Sequence, residues 1–140
     1  MNDTISDMLN RIYTSSLVGN KTVVVPSTKM TEAISEVLKN EGYIESFFKT
    51  GKKNIKNIEI AISYETVSDD NLGYIKKSKA VLEGFRRISK PSCRVYAGVK
   101  DFKFDRRDRT MRVLSTPKGV VTEKQAKEDG VGGEILFEIW

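Results

Sequence analysis

The chain has no histidine, a single cysteine (Cys93), three prolines and one tryptophan in 140 residues. Without histidine, the commonest general base and the commonest metal ligand are both missing. One cysteine excludes an internal disulfide framework. No apolar run approaches the roughly 20 residues that a membrane-spanning helix needs, so no membrane partner is expected. Hydrophobic residues make up 39% of the chain, enough for one packed interior. Neither a signal peptide nor an Arg/Ser-rich transit peptide precedes the first helical pattern. This points to a protein that stays where it is made, or to an already processed form. There is no internal repeat and no low-complexity tract.

Basic charge is what the chain has in excess, with a net +5. That balance favours a polyanionic partner. The densest stretch runs from Lys76 to Arg94. It carries Lys76, Lys77, Lys79, Arg86, Arg87, Lys90 and Arg94 against one acid, Glu83. Such runs usually form solvated faces. A functional reading needs the combination of these charges with Tyr96 and with the chain end described next.

Leu114 to Trp140 reads as one compact unit. Thr122 and Gln125 have capping-box spacing, so a helix starts at Glu123. Gly130 stands where a left-handed cap ends it. Gly132 and Gly133 allow close backbone approach before a strand from Ile135 to Trp140. Ahead of the helix, Ser115-Thr116-Pro117-Lys118-Gly119 reads as a loop offering hydroxyls, an ammonium and bare backbone. Those are groups for holding a polar polymer.

Earlier in the chain, Thr4 and Asp7 have capping spacing, with Asp3 just ahead. Ile5, Met8, Leu9 and Ile12 then recur at helical period. Thr22 to Val25 is a short β-branched run closed by Pro26. Ser27 or Thr28 caps a second helix with Met30, Ala33, Ile34, Val37 and Leu38 on one face, stopped by Gly42. Tyr43 to Phe48 is a strand, and Ile58, Ile60, Ile62 and Tyr64 alternate as another. Glu65 to Gly73 reads as an exposed loop. Lys90-Pro91-Ser92 is a bend where the halves meet, Cys93 to Ala97 a strand, Asp101 to Asp108 a loop and Met111 to Leu114 a strand. The fold class is therefore α+β, in one modest domain or two small ones sharing a core. Residues 1–80 read as an α-β-α-β-β half, and 81–140 as a β-rich half with one short helix.

Catalysis finds little support. Ser115 has no histidine to activate it. A hydroxyl–lysine pair such as Ser115 and Lys118 on a Gly-rich turn serves more often as a phosphate contact. Glu134 reads first as a strand-edge acceptor. Gly130-Val131-Gly132-Gly133 follows a helix and enters a strand, the wrong order for a dinucleotide fingerprint. It reads as a helix cap plus a bulge, with close approach to a partner's backbone as the second use. No catalytic residue, metal ligand or cofactor is expected.

The motif S-T-x-K-G-V-x-T from Ser115, followed by G-x-G-G-E-I-L and a terminal aromatic, resembles the small-subunit ribosomal protein S-eight family. "NDTISDMLNRI", "VPSTKMTEAISEVLKNEGYIESF" and "RRISKPSCRVY" agree with it in order, so the resemblance covers most of the chain. It implies two small domains and no catalytic activity. It also implies binding to an irregular stem in the central domain of small-subunit rRNA, early in assembly of the platform. Repression of an mRNA that carries a similar stem is the alternative function. Implied partners are that rRNA and neighbouring small-subunit proteins, with no DNA. The implied contacts are Ser115, Thr116, Lys118, Gly119, Tyr96, Gly132, Gly133 and Glu134, with Arg11 and Lys29 from the N-terminal half. Arg87, from the basic segment, joins Lys118 and Lys29 as an expected phosphate contact.

Several positions depart from the family pattern. Pro117 replaces a serine, which stiffens the loop. Lys90-Pro91-Ser92-Cys93 replaces R-P-G-L, a second arginine near Tyr13 is missing, and Arg109-Thr110-Met111 replaces a G-L-G segment. "MTEAISEVLKNEGYIESF" and the closing "EIW" look most like plastid-encoded members. Plastid stroma is thus the expected location, and bacterial cytoplasm the alternative.

Overall fold

The computed structural model describes residues 3–54, 56–68, 76–101 and 109–140. Helix α1 (Thr4–Val18) is followed by β1 (Thr22–Pro26), α2 (Lys29–Asn40), β2 (Ile44–Thr50) and β3 (Asn57–Ile62). These strands form an antiparallel sheet in the order β1-β3-β2. The α-β-α-β-β order expected of the N-terminal half is thus present. Ile58, Ile60 and Ile62 of β3 are all buried, but Tyr64, expected to continue the alternation, lies beyond the strand's end and is half-buried.

Two expectations for this half change. The first helix is capped by Asp3, one residue earlier than Thr4. The Asp3 carboxylate accepts from the Ser6 backbone N–H at 3.2 Å and the Ser6 hydroxyl at 2.7 Å. Asp and Thr both cap well, and the buried stripe of Ile5, Met8, Leu9 and Ile12 is the same from either start. Of the two candidates for α2, Thr28 is the cap. It exchanges hydrogen bonds with Thr31 in both directions.

The expected loop from Glu65 is the second change. Residues Tyr64–Ser68 form β4, which pairs with β5 (Lys76–Ala80) as a two-stranded sheet. Glu65 faces Lys79 across the ladder, and Thr66 faces Ser78. All four are polar and exposed, so no apolar period marks the strands. Residues 69–73 of that loop lie outside the described residues.

The C-terminal half contributes β6 (Phe85–Arg87), β7 (Tyr96–Ala97), a 3-10 turn (Val99–Asp101), β8 (Met111–Thr116), β9 (Gly119–Thr122), α3 (Glu123–Asp129) and β10 (Gly133–Ile139). Its sheet runs β6-β10-β8-β9, with β7 also on β10. The expected strand from Cys93 shrinks to Tyr96–Ala97. Lys90 and Cys93 instead exchange backbone hydrogen bonds at 2.9 and 3.0 Å around Pro91, a bend as expected. Strand β9 has no counterpart among the expected elements, which place a loop up to Gly119 and a helix cap at Thr122. Most of the loop expected from Asp101 to Asp108 lies outside the described residues.

One hydrophobic cluster joins the halves. Met8, Leu9 and Ile12 of α1, Ile34 and Leu38 of α2 and Ile58 and Ile60 of β3 meet Val113 of β8 and Leu136, Phe137 and Ile139 of β10. A smaller cluster of Leu114 and Ala126, flanked by Ala97, Val121, Val131 and Ile135, seats α3 against the C-terminal sheet. Thr122 starts α3 as expected, its hydroxyl accepting from the Gln125 N–H at 3.2 Å. Gly130 ends it at φ 68°. Thr122→Ala should cost about 1 kcal/mol, read by chemical denaturation. A change within a few tenths of zero would mean that tertiary packing, and not the cap, sets where α3 begins.

No helix among the described residues is long and apolar enough to cross a membrane.

Candidate nucleic-acid interface

Strand β10 enters its sheet between β7 and β8. Glu134 is in register with Tyr96 on one side and with Ser115 on the other. Ser115 is in turn opposite Val120 of β9. Residues paired directly across strands share a face, so Tyr96, Glu134, Ser115 and Val120 form one row. The alternate positions Ala97, Ile135, Leu114 and Val121 take the opposite face, where α3 packs. The row therefore lies on the face away from α3. Tyr96 is 70% exposed there.

Ser115 and Thr116 are strand residues, and the expected loop is a tight β8–β9 hairpin turned at Pro117 and Lys118. Pro117 holds φ negative, which rules out the paired positive-φ turn common in such hairpins. Gly119 supplies the positive angle instead, at φ 115°. The Thr116 hydroxyl donates to the Gly119 carbonyl at 2.8 Å and accepts from the Lys118 N–H at 3.2 Å. It locks the turn. Ser115 makes no side-chain hydrogen bond among the described residues, which leaves its hydroxyl free for a ligand. Lys118 stands exposed at the tip with no carboxylate partner among the described residues.

Gly132 and Gly133 are places of close approach, but the approaching backbone is the protein's own. A Cβ on Gly132 would lie 2.5 Å from the Ala97 carbonyl oxygen, and one on Gly133 would collide with the Ser115 carbonyl. The two glycines let β10 sit tightly between β7 and β8.

The Glu134 carboxylate is turned inward. Its Oε1 accepts from the Ser89 hydroxyl and from Arg94 Nη1 at 3.0 Å. Burial alone would raise this carboxyl. The hydrogen bonds from Ser89 and Arg94, with the charges of Arg94 and Arg87, outweigh burial and hold it below its ordinary range. Ser89, fully buried, carries no signal in the sequence beyond a polar letter inside a basic run.

Much of the basic run is neutralised. Arg86 pairs with Glu138, Arg87 with Asp3, Arg94 with Glu134 and Lys79 with Glu83. Arg87 is the sharpest departure from expectation. Its side chain is 9% exposed and makes a two-pronged contact with Asp3, Nε to Oδ2 at 3.1 Å and Nη2 to Oδ1 at 3.3 Å. Nη1 also donates to the Leu136 carbonyl. The structure thus places Arg87 inside, as a tie between the start of α1 and strand β10.

The N-terminal candidates sit elsewhere. Arg11, on α1, pairs with Asp7 at 3.1 Å and donates to the Val24 carbonyl at 3.1 Å. Lys29 is the exposed first residue of α2. Neither bonds to the C-terminal row among the described residues. No group of three or more metal-ligating side chains occurs among the described residues.

Comparison with known proteins follows the same outline. The profile of the ribosomal protein S8 family matches residues 3–140. The small ribosomal subunit protein uS8 of Rippkaea orientalis is 40% identical over 139 residues, covering 99% of this chain and 98% of that one. The uS8c protein of Pyropia yezoensis is 39% identical over 140 residues, covering 100% and 98%. That of Tetradesmus obliquus is 38% identical, covering 100% and 99%.

Proposed function

The chain belongs to the ribosomal protein S8 family, and on that premise we propose that it is a structural constituent of the small ribosomal subunit. It binds a stem in the central domain of small-subunit rRNA and helps to assemble the platform. Residues 81–140 are the RNA-binding domain and 1–80 the domain that braces it. The observation that carries this reading is the Tyr96–Glu134–Ser115 row, with an exposed ring at one end and, at the tip of the hairpin that carries Ser115, Lys118 with no carboxylate partner among the described residues. An aromatic face stacks on a base or sugar, a free hydroxyl reads a base edge or 2′-hydroxyl, and an ammonium meets phosphate. Arg11 and Lys29 add phosphate contacts from the N-terminal half. The plastid stroma is the proposed location and bacterial cytoplasm the alternative; full-length matches include both uS8c proteins and cyanobacterial uS8.

Affinity for the cognate stem and for a scrambled stem, across a salt series, tests the reading. Lys118→Ala should weaken both stems and flatten the log–log salt dependence by roughly 0.7 to 0.9 for a lost phosphate contact. Ser115→Ala should leave the slope alone and cost about 1 to 3 kcal/mol, chiefly on the cognate stem. Equal loss on both stems for Ser115→Ala would remove Ser115 as the reading group.

A further inference from the structure

We propose that Glu134 and Ser89 form a lock that positions Tyr96 for stacking on RNA, so that Glu134 serves the RNA surface without touching RNA. This rests on the RNA-binding reading above and assigns a different role to a residue expected to be a contact.

Tyr96 stands on a strand of only two residues, Tyr96–Ala97. The Lys90–Cys93 turn precedes it and a 3-10 turn follows it. So short a ladder holds a segment weakly unless side chains add to it. Here they do. The buried Ser89 hydroxyl donates to Glu134 Oε1 and accepts from the Val95 N–H at 3.3 Å. Arg94 Nη1 reaches the same Oε1 at 3.0 Å. The Val95 carbonyl accepts from the Ile135 N–H at 2.9 Å. One carboxylate oxygen on β10 thus gathers donors from both ends of the turn that leads into Tyr96.

A carboxylate on an RNA-facing row would repel phosphates if it stood free. The Arg94 guanidinium cancels that charge on the spot, and the lock itself needs only the one accepting oxygen that Ser89 and Arg94 share. A ring held in place before RNA arrives loses less freedom on binding.

The test has two arms. In the free protein, amide exchange reads the Val95 N–H. In the complex, affinity for the cognate stem is measured in a double-mutant cycle with Tyr96→Ala. Glu134→Ala and Ser89→Ala should each speed Val95 exchange by about tenfold or more, and weaken stem binding by about tenfold. Glu134→Gln keeps the accepting oxygen and should stay within about twofold of wild type in both arms. On the Tyr96→Ala background, Glu134→Ala should cost less than about twofold more, because the two act through one ring.

Full additivity with Tyr96→Ala would overturn the proposal. So would a Glu134→Gln loss as large as that of Glu134→Ala with Val95 exchange unchanged, which would make the carboxylate a direct contact. If Ser89→Ala does not fold, the Glu134 pair of variants decides alone. Unchanged Val95 exchange in Glu134→Ala removes only the lock. A wild-type protein that does not bind the stem removes the RNA reading, and the proposal with it.

Discussion

Arg87→Ala is expected to cost about 3 kcal/mol of folding stability, the scale for breaking a buried ion pair from one side, and to leave the salt dependence of RNA binding unchanged. The substitution reaches two groups at once. Asp3 loses both prongs of its guanidinium partner and keeps only the Ser6 donors, and the Leu136 carbonyl loses one of two donors, retaining the Ile88 N–H at 3.3 Å. Asp3 also caps α1, so the loss reaches the helix that supplies Met8, Leu9 and Ile12 to the shared core. Arg87→Lys should recover only part, because an ammonium cannot make the two-pronged contact. Urea denaturation with a parallel salt series decides the matter. A cost under about 1 kcal/mol with a slope flattened by roughly 0.7 to 0.9 would return Arg87 to the phosphate contacts.

Acid should act on the same tie. Burial alone would raise the Asp3 carboxyl, but hydrogen bonds from Ser6 and Arg87 outweigh it and hold the carboxyl below its ordinary value. A group depressed on folding contributes stability that is fully present above its unfolded pKa and is lost as pH falls through its folded pKa. The tie should therefore hold at neutral pH and weaken below roughly pH 4. The Arg87→Ala protein should lose less over that window, because the shift that drives the loss is smaller.

What the sequence made legible, and what it did not, divides by range. Short-range signals held. Thr122 and Gly130 bound α3, and Ile58, Ile60 and Ile62 alternate into the core. The Asp3 start of α1 was missed by one residue because adjacent capping residues give one apolar stripe. Strands β4 and β5 were missed because a ladder that is polar and exposed at Glu65, Thr66, Ser78 and Lys79 has no apolar period to show. The charge run misled for a longer-range reason. A count of cations carries no information about partners, and Arg87 meets an aspartate 84 residues away. The row of the candidate site was half legible. Tyr96, Ser115 and Glu134 stood out by type or resemblance, but only strand register makes them neighbours. Ser89 had no mark at all, since burial and a bond to Glu134 are properties of the fold.

The Gly132-Gly133 pair was legible as a place of close approach, and what approaches is decisive for the last expected result. Gly133→Ala should destabilise the protein by more than about 4 kcal/mol, in the range reserved for changes with a specific steric cause. A surviving folded fraction should bind the stem poorly. The new methyl would collide with the Ser115 carbonyl oxygen, and lie 2.9 Å from its carbon and 3.1 Å from the Thr116 Cα. All of these are backbone atoms, so no flexible side chain can swing aside. Relief requires β8 to part from β10 where Glu134 pairs with Ser115, which would separate the halves of the row. Gly19→Ala is the control. Its φ of 85° strains a side chain, yet nothing lies within 4 Å of the added atom, so its cost should be about 1 to 2 kcal/mol. Denaturation of both variants, with stem affinity for whatever folds, separates spacing from strain. Should Gly133→Ala cost no more than Gly19→Ala and bind normally, β8 and β10 can shift apart without consequence. Tight seating of β10 would then not be what brings Ser115 level with Glu134 and Tyr96.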